Sequence, residues 1–182
     1  MSLNTDTQIL ELYHTKGMPD KAFHMLVSEY QKPVYYFIRR MVLDHDDADD
    51  ITQNTFIKAW KGFSGFRGDS KIGTWLMRIA YNESVTFINR EKRLGKVHLD
   101  DIGNKLESQL EHDSLYSGDE IQRRLQLAIA TLPEKQKAVF IMKYYEEKKY
   151  EEISEITGTT VGALKASFHH AVQKIEDFLK RD

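Results

Sequence analysis

Five polar side chains recur at three- and four-residue steps in the middle of the chain: Arg78, Asn82, Thr86, Asn89 and Arg93. An α-helix turns by about 100° per residue, so the five fall within about 80° of one another on one helix face. Guanidinium and amide groups can bond both base edges and phosphates. The stripe is therefore a candidate DNA-reading surface, although the solvated face of any amphipathic helix can carry the same pattern.

A second candidate DNA-binding surface lies near the carboxyl terminus. A short helix over 150–157 is followed by Gly158, which suits the left-handed position after a helix, and Thr159 or Thr160 can cap the next helix. That helix, 161–179, turns small and polar residues outward: Gly162, Lys165, Ala166, His169 and Gln173. The layout is typical of a helix-turn-helix, although helical hairpins without DNA-binding function share it.

The sequence supports a metal site or a catalytic site less well than it supports DNA binding. The acidic run at 44–50 could attract a hard cation, but it lacks the central glycine and closing glutamate of an EF-hand loop. His169 and His170 are adjacent, and adjacent helical residues point about 100° apart, which does not favour one metal site. Cysteine is absent, which excludes disulfides, iron–sulfur clusters and a cysteine nucleophile. We predict no metal, no cofactor and no catalytic residue.

Charge is distributed unevenly along the chain. The 182 residues carry a formal net charge of −2, which excludes nucleic-acid binding by bulk charge. Positions 58–96, however, hold nine basic and three acidic residues, whereas positions 98–120 hold seven acidic residues and one basic residue. We predict two folded units, 1–96 and 121–182, joined by a flexible acidic linker at 97–120. No apolar stretch approaches the ~20 residues of a membrane span and no signal peptide is visible, so we expect a soluble, intracellular protein.

Helical periodicity runs through nearly the whole sequence, and no segment alternates as a strand does. The expected fold class is all-α. Pro33 lies inside the apolar repeat of 23–42, where a proline usually kinks or divides a helix. Further helices are expected from Asp46 or Asp47 through Trp60, and over 72–93, 121–131, 134–145, 150–157 and 161–179.

Three sequence blocks occur in an order that indicates a family resemblance. They are DADDITQNTF at 47–56, FRGDS at 66–70 with TWLMRIAYN at 74–82, and Leu132-Pro133 with 152–169. In this order they resemble regions 2.2, 2.3–2.4 and 4.1–4.2 of the sigma-70 family of RNA polymerase sigma factors, in its extracytoplasmic-function group. The resemblance covers nearly the whole chain. It implies a non-enzymatic factor that binds core RNA polymerase and directs it to specific promoters.

The resemblance also implies which residues bind the polymerase. The region 2.2 helix of such factors docks on the clamp coiled coil of one large polymerase subunit. The outward residues that match it here are Asp49, Asp50, Gln53, Asn54 and Lys58, whereas Phe56 and Trp60 are expected in the core. The carboxyl-terminal domain of such factors sits on the flap of the other large subunit.

Promoter DNA is the second partner that the resemblance implies. The loop at 62–74 matches the loop that captures a base flipped from the −10 element, and the stripe matches the helix that reads and melts that element. The −10 residues are then Arg67, Ser70, Lys71, Trp75, Arg78, Asn82, Thr86, Asn89, Arg90 and Arg93, although Trp75 is better explained as a core anchor than as a stacking platform. The matching −35 residues are Thr159, Thr160, Gly162, Lys165, Ala166, Ser167, His169, His170 and Gln173.

The sequence departs from the family pattern at both DNA-reading helices. Ser167, His170 and Val172 stand where the family usually has arginine, so we expect weaker or differently specified −35 binding. Thr86 and Asn89 replace the usual aspartate and arginine of the −10 helix. The resemblance further implies an anti-sigma factor as a partner, no small-molecule substrate, and a cytoplasmic location. The alternative is a stand-alone helix-turn-helix regulator with an amino-terminal sensing or dimerising domain.

Overall fold

The structure, a computed structural model, describes residues 3–95 and 120–180. Within those ranges it contains eight α-helices and no strand, which confirms the all-α prediction. In chain order they are α1 (Leu3–Leu10), α2 (Pro19–Val42), α3 (His45–Phe63), α4 (Ile72–Arg93), α5 (Glu120–Ala130), α6 (Glu134–Tyr144), α7 (Tyr150–Thr157) and α8 (Val161–Leu179). The predicted linker lies outside the described residues apart from Glu120, which begins α5, so the domain boundaries stay a prediction.

Helix α2 is the centre of the amino-terminal half, and α3 and α4 pack against it. Its buried face repeats every three or four residues: Leu26, Tyr30, Val34, Phe37, Ile38 and Met41. Each such side chain contributes about 1.5–3 kcal/mol when it is fully removed from water. This packing holds α3 and α4 in fixed positions beside one another.

Pro33 does not divide α2, which continues from Pro19 to Val42. A proline inside a helix lacks the N–H that would bond to the carbonyl four residues earlier, here that of Glu29. Tyr30 and Val34 on either side of it are both buried in the core. Tertiary packing therefore outweighs the local cost of the proline ring.

The carboxyl-terminal half is built from α5 to α8, with α8 packed against the other three helices. The bounds of α7 and α8 are those expected from the sequence. Gly158 adopts φ +69°, the left-handed conformation predicted for the end of α7. Thr160 is the residue that caps α8, because its hydroxyl accepts a hydrogen bond from the N–H of Ala163 at 3.4 Å.

Candidate nucleic-acid and polymerase interfaces

The stripe on α4 is formed as the sequence predicted. Arg78, Asn82, Thr86 and Arg93 are exposed and Asn89 is half-buried, while Leu76, Ala80 and Ser84 on the opposite face are buried. The guanidinium of Arg93 donates to the carbonyl of Asn89 at 3.3 Å. A buried apolar face thus fixes the rotation of α4, and the polar stripe follows from that rotation.

Acidic residues near the stripe are already paired. Glu83 on α4 binds Lys58 on α3, with Oε1 and Nζ 2.5 Å apart. Glu91 lies 3.5 Å from the guanidinium of Arg90, which also stacks over the Phe87 ring at 5.1 Å. These pairs reduce the repulsion that two carboxylates would otherwise exert on a nucleic-acid backbone.

The loop between α3 and α4 places three further predicted residues beside the start of the stripe. Arg67 and Lys71 are exposed and Ser70 is half-buried. Trp75 is half-buried, with its ring 5.1 Å from that of Phe66 and 5.9 Å from that of Phe63. Trp75 therefore anchors the loop to the core, and only part of its ring faces solvent.

The outward face of α3 carries all five residues that were assigned to polymerase binding. Asp49, Asp50, Gln53, Asn54 and Lys58 are exposed, and Phe56 is buried as expected. Trp60 was expected in the core, but 41% of it is exposed. It packs edge-on against Phe23 at 4.9 Å with its other side open.

Ile57 is a further exposed residue of this face that the sequence reasoning missed. It is 50% exposed and lies within about 60° of Gln53 and Trp60 on the helical wheel. An isoleucine four residues after Gln53, on a face otherwise polar, was the signal that could have revealed it. A large apolar patch within a polar rim is typical of a protein-binding surface.

The amino-terminal part of α8 presents most of the predicted −35 residues. Gly162, Lys165, Ala166, His169, His170 and Gln173 are exposed together with Thr160, whereas Thr159 and Ser167 are half-buried. The Lys165 ammonium lies 5.8 Å from the centre of the Tyr150 ring. Cationic side chains are sparse on this face, as the sequence indicated.

The two halves contact each other across what we call the seam, where α7 lies on α4 and α6 lies on α2. Arg78 donates from Nε and Nη2 to the carbonyl of Glu155, at 2.9 and 2.5 Å. The last carbonyls of a helix have no partner within the helix, so Arg78 caps the negative end of α7.

Three described ion pairs extend the seam: one joins Arg40 on α2 to Glu146 at 3.8 Å, and two lie on either side of Arg78. Lys92 at the end of α4 lies 2.6 Å from Glu134, and this hydrogen bond lowers the pKa of the Glu134 carboxyl. Lys71 lies 3.9 Å from Glu152. Three basic residues of the basic segment, two of them assigned to the −10 element, are thus engaged by the carboxyl-terminal half. The sequence pattern gave no sign of this arrangement.

The acidic run at 44–50 has a structural role in α3. The Asp44 carboxylate accepts hydrogen bonds from the N–H groups of Asp46 and Asp47, at 3.0 and 3.1 Å, and so caps the helix. In the part of the chain that the structure describes, no three His, Cys, Asp or Glu side chains are grouped as a metal site would require. Nor is any helix within 3–95 or 120–180 both long and apolar enough to cross a membrane.

Comparison with family models gives two matches in chain order. Residues 26–94 match Sigma-70 region 2, and residues 122–175 match Sigma-70, region 4. The ECF RNA polymerase sigma-E factor of Haemophilus influenzae is 31% identical over 165 residues, covering 86% of this chain and 87% of that protein. The ECF RNA polymerase sigma factor SigW of Bacillus subtilis is 30% identical over 173 residues, covering 91% and 92%.

Two solved structures share the fold. The sigma factor RpoE of Bartonella quintana, crystallised with the anti-sigma factor NepR, superposes with a TM-score of 0.69 at 22% identity, covering 89% of this chain and 99% of that one. CnrH in complex with the cytosolic domain of CnrY superposes with a TM-score of 0.70 at 19% identity, covering 98% and 99%.

Proposed function

Because the chain belongs to the sigma-70 family of RNA polymerase sigma factors, in its extracytoplasmic-function group, we propose that its exposed surfaces divide the work of promoter recognition. The chain directs core RNA polymerase to promoters for transcription initiation. The stand-alone regulator is set aside, because residues 26–94, which it would make a sensing or dimerising domain, match sigma-70 region 2.

The stripe on α4 and the loop before it read the −10 element as single-stranded DNA. The observation that carries this proposal is the exposed row of guanidinium and amide groups on a helix whose other face is locked into the core. A base flipped out of the duplex costs a few kcal/mol of unstacking. Loop residues Arg67, Ser70 and Lys71 lie where they can recover part of that cost by binding the displaced nucleotide.

The outward face of α3 binds one large subunit of core polymerase, and the carboxyl-terminal half binds the other. On α3 the apolar pair Ile57 and Trp60 sits within the polar side chains of Gln53, Asn54 and Lys58. An apolar centre with a polar rim is the arrangement that supplies most binding energy in protein interfaces.

The exposed face of α8 reads the −35 element as duplex DNA. Lys165 is its one ammonium group among the proposed contacts, and the remaining side chains are hydroxyls, imidazoles, an amide and small groups. Each phosphate contact contributes about −0.9 to the slope of log K against log salt on duplex DNA. A shallow salt dependence is therefore expected for binding by the carboxyl-terminal half.

Reading the −10 element requires the seam to open. Arg78, Lys71 and Lys92 contact α6 and α7, so DNA can bind these groups only after those contacts are released. The closed arrangement lowers the apparent −10 affinity by the fraction of molecules that are open. Core polymerase, by binding the two halves at separate places, stabilises the open form.

The remaining parts of the proposal concern partners and chemistry. The chain carries out no reaction of its own and uses no cofactor, metal or small-molecule substrate. It acts in the cytoplasm together with the polymerase, as two units at 1–96 and 121–182 joined by an acidic linker. An anti-sigma factor is its proposed inhibitor; the RpoE structure that shares the fold is a complex with the anti-sigma factor NepR.

Run-off transcription with core polymerase on a promoter library tests the proposal. The wild-type protein is expected to produce specific starts, and replacing Arg78, Asn82 and Arg93 with alanine is expected to abolish or relocate them. The matched control replaces Lys21, Gln31 and Lys32 with alanine. These residues are exposed on α2, and their replacement likewise removes two positive charges and one amide. Unchanged start sites in the stripe variant would contradict the assignment of α4 to reading the −10 element.

A further inference from the structure

The first turn of α4 is held by a side chain from the far end of the amino-terminal half. Lys71, the residue before α4, has no side-chain oxygen and makes no side-chain capping bond. Instead Asp6 on α1 accepts a hydrogen bond from the backbone N–H of Ile72, with Oδ2 and N 3.3 Å apart. The unpaired N–H groups and the positive end of a helix both favour a carboxylate at this place.

Tyr30 on α2 fixes the same carboxylate from the other side. Its hydroxyl donates a hydrogen bond to Oδ1 of Asp6, and the whole residue is only 4% exposed. Burial, followed by this hydrogen bond, raises the pKa of Tyr30 far above its usual value. The hydroxyl therefore keeps its proton, and Asp6 ties α1, α2 and α4 together at one point.

The backbone of α4 rests directly on the Tyr30 ring. A Cβ atom added to Gly73 would lie 3.0 Å from Cε1 of Tyr30, closer than ordinary packing allows. Glycine at this position thus permits the first turn of α4 to approach α2. Ser70 and Lys71 come just before that turn, and with Asp6 they line a cavity of about 560 Å³ between α1, the loop and α7.

We propose that Asp6 is a positioning residue for the −10 surface. Together with Tyr30 it sets where α4 begins, and through Ile72 it determines where Ser70 and Lys71 stand beside the stripe. Asp6 acts through the backbone of α4 and does not itself contact DNA. The inference rests on the proposed role of α4 in reading the −10 element.

The test compares Asp6→Ala and Asp6→Asn in the full chain, with Glu11→Gln as the control. Glu11 is an exposed carboxylate in the same amino-terminal segment, paired only with Lys16 in the described contacts at 3.2 Å. Asp6→Ala is expected to weaken binding of single-stranded −10 DNA by the holoenzyme by up to about fivefold, the factor by which losing a helix cap typically shifts the equilibrium of helix formation. Asp6→Asn keeps one acceptor oxygen, so its loss of affinity for −10 DNA is expected to be smaller. Glu11→Gln is expected to match the wild type.

Two further readouts separate positioning from a general loss of structure. Affinity for core polymerase is expected to stay unchanged, because the exposed face of α3 does not include the Asp6 contact. Hydrogen exchange at the Ile72 amide of the free protein is expected to quicken in Asp6→Ala. Tyr30→Phe is expected to cost less in an Asp6→Ala background than in the wild type, because the Tyr30–Asp6 hydrogen bond is already lost there and only the bond to the Gly73 backbone remains to be removed.

Equal losses in DNA affinity and polymerase affinity would overturn the inference, since they would indicate a merely structural role. Unchanged −10 affinity in Asp6→Ala would overturn it as well. If the wild-type protein fails to initiate with core polymerase, the proposed function of α4 is wrong, and the role assigned to Asp6 in promoter binding falls with it. The exchange rate at Ile72 still decides in that case whether Asp6 holds α4.

Discussion

Weakening the seam is expected to increase the affinity of the free protein for single-stranded −10 DNA. The perturbation is the double variant Glu134→Gln and Glu152→Gln, which removes the carboxylates that face Lys92 and Lys71. Glutamine keeps the shape of both side chains. At position 152 it also preserves an acceptor for the N–H of Lys149, which now bonds to the carboxylate at 3.0 Å.

The size of the effect follows from the exposure of the two ion pairs. The side chains of Lys71 and Lys92 are 69% and 47% exposed, so each pair contributes no more than about 1 kcal/mol and typically about half of that. Losing both therefore shifts the ratio of open to closed molecules by about 1 kcal/mol, or roughly fivefold. If most of the free protein is closed, its apparent −10 affinity rises by the same factor.

A matched control separates opening of the seam from the simple loss of two negative charges. Glu151→Gln and Glu176→Gln change the net charge equally, and Glu151 lies beside Glu152 in the first turn of α7. Both control residues are exposed, and the described ion pair of Glu176 is with Lys180 on its own side of the seam. Fluorescence anisotropy with a labelled −10 strand measures the affinities, and energy transfer between dyes on the two halves measures their separation. An equal gain in the control variant, or no gain in either, would refute the reasoning.

Three other substitutions have expected outcomes. Lys137 is 7% exposed, and burial lowers its pKa from 10.5 to about 8, so Lys137→Met is expected to raise stability at pH 7 by about 3 kcal/mol. Between pH 8 and 10.5 the folded state binds fewer protons than the unfolded state, so the wild type gains stability as pH rises. The stability advantage of Lys137→Met over the wild type therefore falls to about half by roughly pH 9.5, which urea unfolding at several pH values can measure. Gln126 is 0% exposed and its amide has no hydrogen-bond partner among the described residues, so Gln126→Met is expected to stabilise the protein by about 1–3 kcal/mol, with a higher urea midpoint. Ile57→Ser is expected to weaken core polymerase binding about tenfold in a pull-down titration while −10 strand affinity stays unchanged; an unaltered polymerase affinity would exclude Ile57 from the interface.

Local patterns predicted the helices well because local chemistry determines them. The bounds of α4, α7 and α8 agree with the sequence, and Gly158 and Thr160 end and begin their helices as expected. The buried and exposed faces of α4 also followed from its periodicity alone. These features depend on residues within one or two turns of each other.

Features that depend on distant contacts were not predictable in the same way. Asp6 reaches Ile72 across 66 positions, and nothing near either residue indicates that bond. Trp60 was expected in the core because a large aromatic residue is usually buried, yet one side of its ring remains open beside Ile57. The seam likewise depends on which face of α7 meets α4, and this is a property of two helices whose sequences are far apart.

Under the proposed function, the seam pairs basic groups of the DNA-reading surface with carboxylates in a chain whose net charge is −2. Lys71 and Lys92 meet carboxylates in the closed arrangement, and a phosphate offers an ammonium group the same kind of partner. Under the proposed function, the closed arrangement and DNA therefore compete for the same nitrogen atoms. Exposed ion pairs are individually weak and screened by salt, whereas a nucleic-acid strand presents many phosphates in series. Such a seam can hold the free protein closed. In the proposed function its contacts break when polymerase separates the two halves and a melted promoter strand reaches α4.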